Sequence, residues 1–450
     1  MSYPAYTEYG NAEADWLGTL PKQWTSRRLR FIATEPLMYG ANEAAVLDDK
    51  ELPRYIRITD VKGDGTLHDD TFRSLDEDVA APYLLEEGDI LLARSGATVG
   101  KSFQYLVSWG RAAYAGYLIR CRPDQNIIFP RFANYYFQTE CYWACIRSTL
   151  IQATIENFSA EKYKDLKLPL PPKAEQQQIA AFLDWKTGQI DALIVRKREL
   201  LEKLKEKRIA VITQAVTQGL NPAARMRDSG IPWLGQVPQH WDVMKMSWVC
   251  KSIRDGTHNP PDRAPGIHRL LSVRNVQDGK FSLLSDDRTM TPEDFAELQQ
   301  SYTVEENDIV LAIVGATTGK SAIVGRLENV TVQRSLAILR PDGGAISGSF
   351  LHYVIQSPIV QTEIALTVFK YSAQPGIYLD DVGRLPVVRP PAQEQAAIAT
   401  YLDAETEKLD ALVGKVEAVI DRLTEYRTAL ITAATTGKID VRNVKVPAAA

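Results

Sequence analysis

What this chain lacks narrows its function first. Its 450 residues hold four cysteines and five histidines. The cysteines are Cys121, Cys141, Cys145 and Cys250. Cys141 and Cys145 have the spacing of one helix face, but no histidine lies near them, so the pair does not read as a zinc site. No stretch approaches the roughly 18 unbroken apolar residues of a membrane span. Met1 to Glu8 hold no basic region leading into an apolar run, so the expected compartment is the cytoplasm, with reduced structural thiols. Positive charge is not in excess: the net charge is −4. A surface that bound nucleic acid everywhere would be basic. The basic residues do cluster. Arg94, Lys101, Arg111, Arg120, Arg122 and Arg131 face a single acid, Asp124, in their stretch, and a second cluster runs from Lys251 to Arg274. Local patches on a near-neutral body suit binding at one defined place.

Catalytic signatures are missing as well. A phosphate-binding P-loop needs a glycine, four residues and then Gly-Lys-Ser/Thr. Gly96-Ala-Thr-Val-Gly-Lys-Ser102 has three residues between its glycines, and Ser95 stands where the first glycine belongs. Strand-like sequence follows it, not the helix whose N-terminus would hold phosphate. Asn259-Pro-Pro-Asp262 has the outline of the Asn-Pro-Pro-aromatic tetrapeptide of amino-methyltransferases, but an aspartate cannot stack on a flipped-out base. Asp165-Leu-Lys167 has the spacing of a nuclease acid–lysine pair, yet has no counterpart elsewhere in the chain. No Ser–His–Asp or Cys–His pairing emerges. The chain reads as non-enzymatic by itself.

What is present is a duplication. Leu-Pro-Leu-Pro-Pro-Lys-Ala-Glu-Gln-Gln from Leu168 returns as Leu-Pro-Val-Val-Arg-Pro-Pro-Ala-Gln-Glu-Gln from Leu385. Glu175-Gln176 corresponds to Glu394-Gln395, and 394 − 175 = 219. Gly96-Ala-Thr-Val-Gly-Lys101 and Gly315-Ala-Thr-Thr-Gly-Lys320 keep that offset. Trp16-Leu-Gly…Trp24 is answered by Trp233-Leu-Gly…Trp241, at 233 − 16 = 217. Solenoid units run to about 20–50 residues, so this is a duplicated domain-plus-helix module instead. Each copy alternates short apolar strands with Gly, Pro and Asp turns. Asp89 to Ser95 and Asp308 to Val314 read as strands, with returns from Ser102 and Ser321, which makes each glycine loop a hairpin tip. Pro130 opens a helical stretch. The expected fold class is α+β, with a mostly antiparallel or mixed sheet.

A long helix closes each copy. Pro172 and Pro391 suit helix starts, Glu175 and Glu394 the first turns, and Gly219 and Gly437 the stops. Leu402, Leu409, Val416, Leu423 and Leu430 recur by sevens, with Leu412, Val419 and Tyr426 as the interleaved second row. The first copy repeats this with Leu183, Ile190, Leu204 and Val211, plus Leu193 and Leu200, interrupted by Lys186 and Lys197. A helix spanning 173–217 is about 68 Å long at 1.5 Å per residue, too long to bury its seam on one small domain. The expectation is one antiparallel coiled coil within the chain; the competing arrangement packs each helix on an oligomer partner.

In the order and duplication of these motifs, with Asp255-Gly-Thr-His-Asn-Pro-Pro261 between them, the chain resembles the DNA-specificity subunit of type I restriction–modification systems. The resemblance implies two target-recognition domains, at 1–172 and 220–391, and two spacer helices, at 173–219 and 392–437, paired with pseudo-two-fold symmetry before a tail at 438–450. It implies that each domain reads half of a bipartite double-stranded DNA target and that the helices dock two methyltransferase subunits. Restriction–translocase subunits would join them. S-adenosylmethionine, ATP and magnesium would then belong to those partners, and this chain would carry no cofactor. Lys101 and Lys320 on the tips are candidate phosphate contacts, with Thr98, Thr317 and Thr318 adding hydroxyls. Arg94, Arg254, His258, Asn259, Arg274 and Asn275 are candidates for base edges, and Thr257 lies among them. The rival readings are an adaptor of another defence or partitioning system, which co-purification with a methyltransferase would separate, and an enzyme, which the motif defects oppose.

Overall fold

The computed structural model describes residues 3–12, 14–62, 65–150, 157–277, 279–370 and 376–447. It divides into two compact units: unit 1 comprises residues 1–198 and 417–450, and unit 2 comprises 199–416. The units therefore do not follow the linear order of globular part, helix, globular part, helix. Each joins one globular part to a portion of both long helices, and the C-terminal tail belongs to unit 1.

Unit 1 is built on a four-stranded antiparallel sheet in the order Met38–Tyr39, Leu118–Cys121, Ile90–Ala93, Ser102–Gln104. The strand Ile90–Ala93 is apolar throughout because both of its faces are covered. Ile90 and Leu92 enter the main core, while Leu91 and Ala93 enter a second cluster with Phe103, Tyr105 and Tyr114. The main core also takes the helix Pro130–Tyr136, part of the helix Glu140–Leu150 and the start of the helix Lys173–Gln218.

Unit 2 repeats the plan with a larger, mixed sheet. Its order is Cys250–Asp255, Leu336–Pro341, Ile309–Ala312, Ser321–Ile323, Lys280–Phe281, Val276–Gln277. The pairing of Lys280–Phe281 with Ser321–Ile323 is parallel. Period-two burial recurs: Ile309 and Leu311 face one cluster, Val310 and Ala312 another. The helices Gly348–Gln356 and Pro358–Lys370 cover the first of these.

The long helices run Lys173–Gln218 and Ala392–Thr435. Gly219 and Gly437 follow them at φ 76° and 69°, the left-handed stop that glycine adopts without strain. In unit 1, Arg427 reaches Asp191 at 2.9 Å and Gln138 at 3.3 Å. In unit 2, Arg208 reaches Asp410 at 3.6 Å and Gln356 at 3.2 Å. The helices thus pair antiparallel within the chain, the intramolecular coiled coil expected of the sequence. One row differs. Leu402, Leu409 and Leu430 are buried, but Leu412, Val419 and Tyr426 are exposed, as are Leu193 and Leu200. The second seam row lies four residues on from the first, not three, through Thr406, Ile420, Arg427 and Ala434. Its arginine and threonine hide it from a search for apolar heptads.

The repeated Glu-Gln pair is a latch between globular part and helix. Trp24 Nε1 donates to Glu175 at 3.0 Å, and the Tyr6 hydroxyl donates to the same oxygen. Gln176 accepts from Phe129 N at 2.7 Å and donates to the carbonyls of Ile127 and Pro171. In unit 2, Trp241 Nε1 and His240 Nε2 meet Glu394 at 3.0 and 2.6 Å, and Gln395 bonds Ser347 N and the carbonyls of Ala345 and Pro390. These polar groups are repeated because they hold the frame.

Candidate nucleic-acid interface

Both glycine loops are hairpin tips. Leu92 pairs with Ser102, and Leu311 with Ser321, on strands that flank them. Within each tip the two glycines have different work. Gly96 and Gly315, at φ 69° and 83°, have nothing near the position of a Cβ. Gly100 and Gly319, at φ 86° and 94°, are pressed on a helix: a Cβ there would lie 2.8 Å from the Trp143 ring or 2.7 Å from Gln361 Oε1. Tyr142 donates to the Gly100 carbonyl at 2.7 Å and Gln361 to the Gly319 carbonyl at 2.9 Å. The second glycine of each loop is therefore fixed by packing, and free approach to a ligand is left to the first half of the tip.

Lys101 and Lys320 are exposed at the ends of these tips. Thr98 and Thr318 turn their hydroxyls back to the carbonyls of Ser95 and Gly315, at 3.4 and 2.7 Å, which leaves each oxygen able to accept but occupies its proton. In unit 2 the tip borders a recess of about 650 Å³ lined by Arg208, Gln277, Thr317, Lys320, Ser321 and Gln361, among others. The Ser321 hydroxyl is buried without a partner. Two cations, hydroxyls and amides around one opening suit a phosphate. Arg208, Gln277 and Gln361 went unnoticed in the sequence, since they lie far along the chain from the tip.

The remaining candidates separate. Arg94 lies 4.7 Å over the Tyr39 ring and donates to the Gly116 carbonyl at 3.4 Å, so its guanidinium is braced within its own unit. Arg254 is exposed and reaches the Ser301 carbonyl at 3.3 Å. Thr257, His258 and Asn259 form one turn: Thr257 N is held by Tyr302, its hydroxyl bonds Asn259, and His258 Nε2 meets Asp255 at 2.6 Å. His258 and Asn259 remain exposed there. Asn275 is withdrawn from base contact. It is 1% exposed, its oxygen accepts from Ser272 N, and its amide donates to Ser282 O and Asp287. Arg274 is forked onto Asp286 by two 3.0 Å bonds, so it meets a base only by exchanging that carboxylate.

The first basic patch dissolves in three dimensions. Arg111 pairs with Glu77, Arg120 with Glu35, Arg122 with Asp89 and Glu86, and Arg131 with Asp184. Only Arg94 and Lys101 of the six lack a carboxylate partner among the described residues. The same fork recurs as Arg340 on Asp308 and Glu305, so it belongs to the frame. Asp165 is likewise spoken for by Arg28 and Arg30. Burial pushes the thiols of Cys121 and Cys250 up to about 12, which makes them inert. No group of three or more metal-ligating side chains occurs among the described residues.

Residues 50–204 match the family model described as the type I restriction modification DNA specificity domain. The chain is 27% identical over 312 residues to the type I restriction enzyme EcoBI specificity subunit of Escherichia coli, covering 68% of this chain and 65% of that one. It is 25% identical over 365 residues to the EcoKI specificity subunit of Escherichia coli K12, covering 78% and 75%. The match thus spans just under two thirds of the first relative's length. A solved structure from a study of type I restriction–modification assembly and conformational transition has the same fold, with a TM-score of 0.65 at 15% identity over 92% of this chain and 98% of that one.

Proposed function

We propose, the chain being a member of the type I restriction–modification DNA-specificity family, that it is the DNA-reading subunit of such a complex. Each globular part reads one half of a bipartite target, and the helices set the spacer between the halves. Reading is non-catalytic: methyl transfer and cleavage belong to methyltransferase and restriction subunits that assemble on this chain. One observation carries the proposal. The two units repeat their frame contacts almost atom for atom, through Glu175 and Glu394, Arg122 and Arg340, Arg427 and Arg208, yet differ at the surface. Arg94 corresponds to buried Ile313, and Trp143 to Gln361 beside the second tip. A shared frame with unlike reading surfaces is what an asymmetric two-part target requires. The apolar rows left exposed on both long helices, Leu193 and Leu200 on one and Leu412, Val419 and Tyr426 on the other, supply surface for protein partners.

Lys101 and Lys320 contact phosphate in this reading, and Arg94, Arg254, His258 and Asn259 face base edges. The decisive experiment is sequencing of modified bases in DNA methylated by this chain with its methyltransferase. A single split motif with two unlike halves is expected. Methylation at a continuous motif, or at one half alone, would overturn the bipartite reading.

A further inference from the structure

Two loops are knotted together in the same way in each unit. Gly40 and Gly256 correspond at an offset of 216. Each lies so close to a neighbouring stretch of backbone that a side chain would collide with the carbonyl of Tyr114 or of Val332. Gly40 N donates to Leu118 O and Gly256 N to Leu336 O, both at 3.2 Å. Ala41 N donates to Tyr114 O and Thr257 N to Val332 O, both at 2.9 Å. The return bonds run from Gly116 N to Ala41 O at 2.7 Å and from Arg334 N to Thr257 O at 3.0 Å. Gly116 and Arg334 correspond at an offset of 218. The backbone of the knot therefore repeats, while its side chains do not. Unit 1 brings an arginine to it from a strand end, where Arg94 stacks on Tyr39 and donates to Gly116 O. Unit 2 has Ile313 at that position and carries an arginine on the opposite loop instead, Arg334.

We infer that Arg334 reads a guanine in the half-site of unit 2, an inference that rests on the proposed function. Arg334 is exposed, and its guanidinium has no carboxylate, carbonyl or ring partner among the described residues. Other arginines of this unit are engaged: Arg263 with Asp286 O, Arg269 with Leu284 O and Arg274 with the Asp286 carboxylate. The backbone beneath Arg334 is held. Tyr302 accepts from Thr257 N at 3.0 Å and donates to Val332 O at 2.6 Å, which clasps the two loops of the knot. A free fork on a fixed backbone is what two-pronged recognition of guanine O6 and N7 requires. Phosphates are alike in the two half-sites, so their contacts suit the repeated Lys101 and Lys320. Bases differ between the half-sites, so a cation on matched backbone that the other unit lacks suits a base edge. His258 and Asn259, also exposed, follow Thr257 on the loop bridged to Gln333, so the three side chains leave one knot.

The test compares the full-length chain with its Arg334→Ala and Arg334→Lys variants, each assembled with its methyltransferase. Modified-base sequencing reads the motif, and DNA titrations at several salt concentrations read affinity. In Arg334→Ala, one guanine of one half-site should become degenerate, and affinity for the matched duplex should fall about tenfold. A duplex mismatched at that position should bind as it does to the unsubstituted chain. Arg334→Lys keeps the charge and loses the fork, so it should relax the same position with the salt slope unchanged. The other half-site and thermal unfolding should be unaltered in both, since the side chain is exposed and the N–H to Thr257 remains. Uniform weakening on every duplex in Arg334→Ala, restored in Arg334→Lys, would make Arg334 a phosphate contact and overturn the inference. Loss of stability in both variants would make it a structural residue and overturn it too. An unaltered motif in both would overturn it while leaving the proposed function intact. Absence of any split motif with the unsubstituted chain would overturn both.

Discussion

Lys320 and Lys101 differ from every other cation in the candidate set, because each is both repeated and unpaired by a carboxylate among the described residues. A phosphate contact is indifferent to sequence and releases about one counterion. Lys320→Ala is therefore expected to weaken binding to matched and mismatched duplexes alike, and to lower the slope of log affinity against log salt by about one unit. Titration at several salt concentrations checks this; an unchanged slope removes Lys320 from that role. His352 makes a second residue-scale test. Burial, helped by the charge of Arg208, pushes its imidazole down to about 4. The unfolded chain, with the ordinary value of 6.5, then binds the proton first as pH falls. Stability from this group is full above about pH 6.5 and is lost as pH drops toward 4, a cost of about 2 kcal/mol between pH 7 and pH 5. His352→Gln should remove that share of the slope in urea unfolding at the two pH values.

At the scale of elements, the latch between tryptophan and glutamate explains why the most repeated letters of the sequence are not at the reading surface. Glu175 is 6% exposed and takes two hydrogen bonds, and burial together with that carboxylate pushes the Tyr6 phenol up. Glu394 makes two comparable bonds half in solvent. Losing charge-assisted bonds in a buried site leaves two donors unsatisfied, so Glu175→Ala should cost about 2–3 kcal/mol. Glu394→Ala should cost about 1 kcal/mol or less, because water replaces the carboxylate. Thermal unfolding of the two variants measures the difference. The strands, tips, helix limits and first seam row were legible because apolar period and glycine chemistry act locally. The second seam row was not. Positions three and four along a helix share one side, and three-dimensional burial together with the Arg427–Asp191 and Arg208–Asp410 pairs decides between them. Asn275 escaped for a related reason: an exposed reader and a buried asparagine that closes a turn have the same letter.

For the whole molecule, duplication separates what must match from what must differ. Arginines from the two helices reach aspartates of the other in both units, Arg427 to Asp191 and Arg208 to Asp410, so each unit pairs its portions of the helices by the same kind of contact and in the same register. That register makes the coiled coil a ruler in the proposed function. Inserting seven residues into each helix, at places that face one another, preserves the seam because its rows repeat by sevens. It adds about 10.5 Å at 1.5 Å per residue, or about three base pairs at 3.4 Å each. The preferred spacer should lengthen by that amount while both half-sites stay as they were, because the reading surfaces are untouched. A four-residue insertion instead shifts the seam by half a heptad, moves Arg208 and Arg427 off their aspartates, and should lower thermal stability without creating any new spacer preference. Modified-base sequencing of DNA treated with the two insertion variants distinguishes these outcomes, and an unaltered spacer in the seven-residue variant would show that something other than helix length sets the distance.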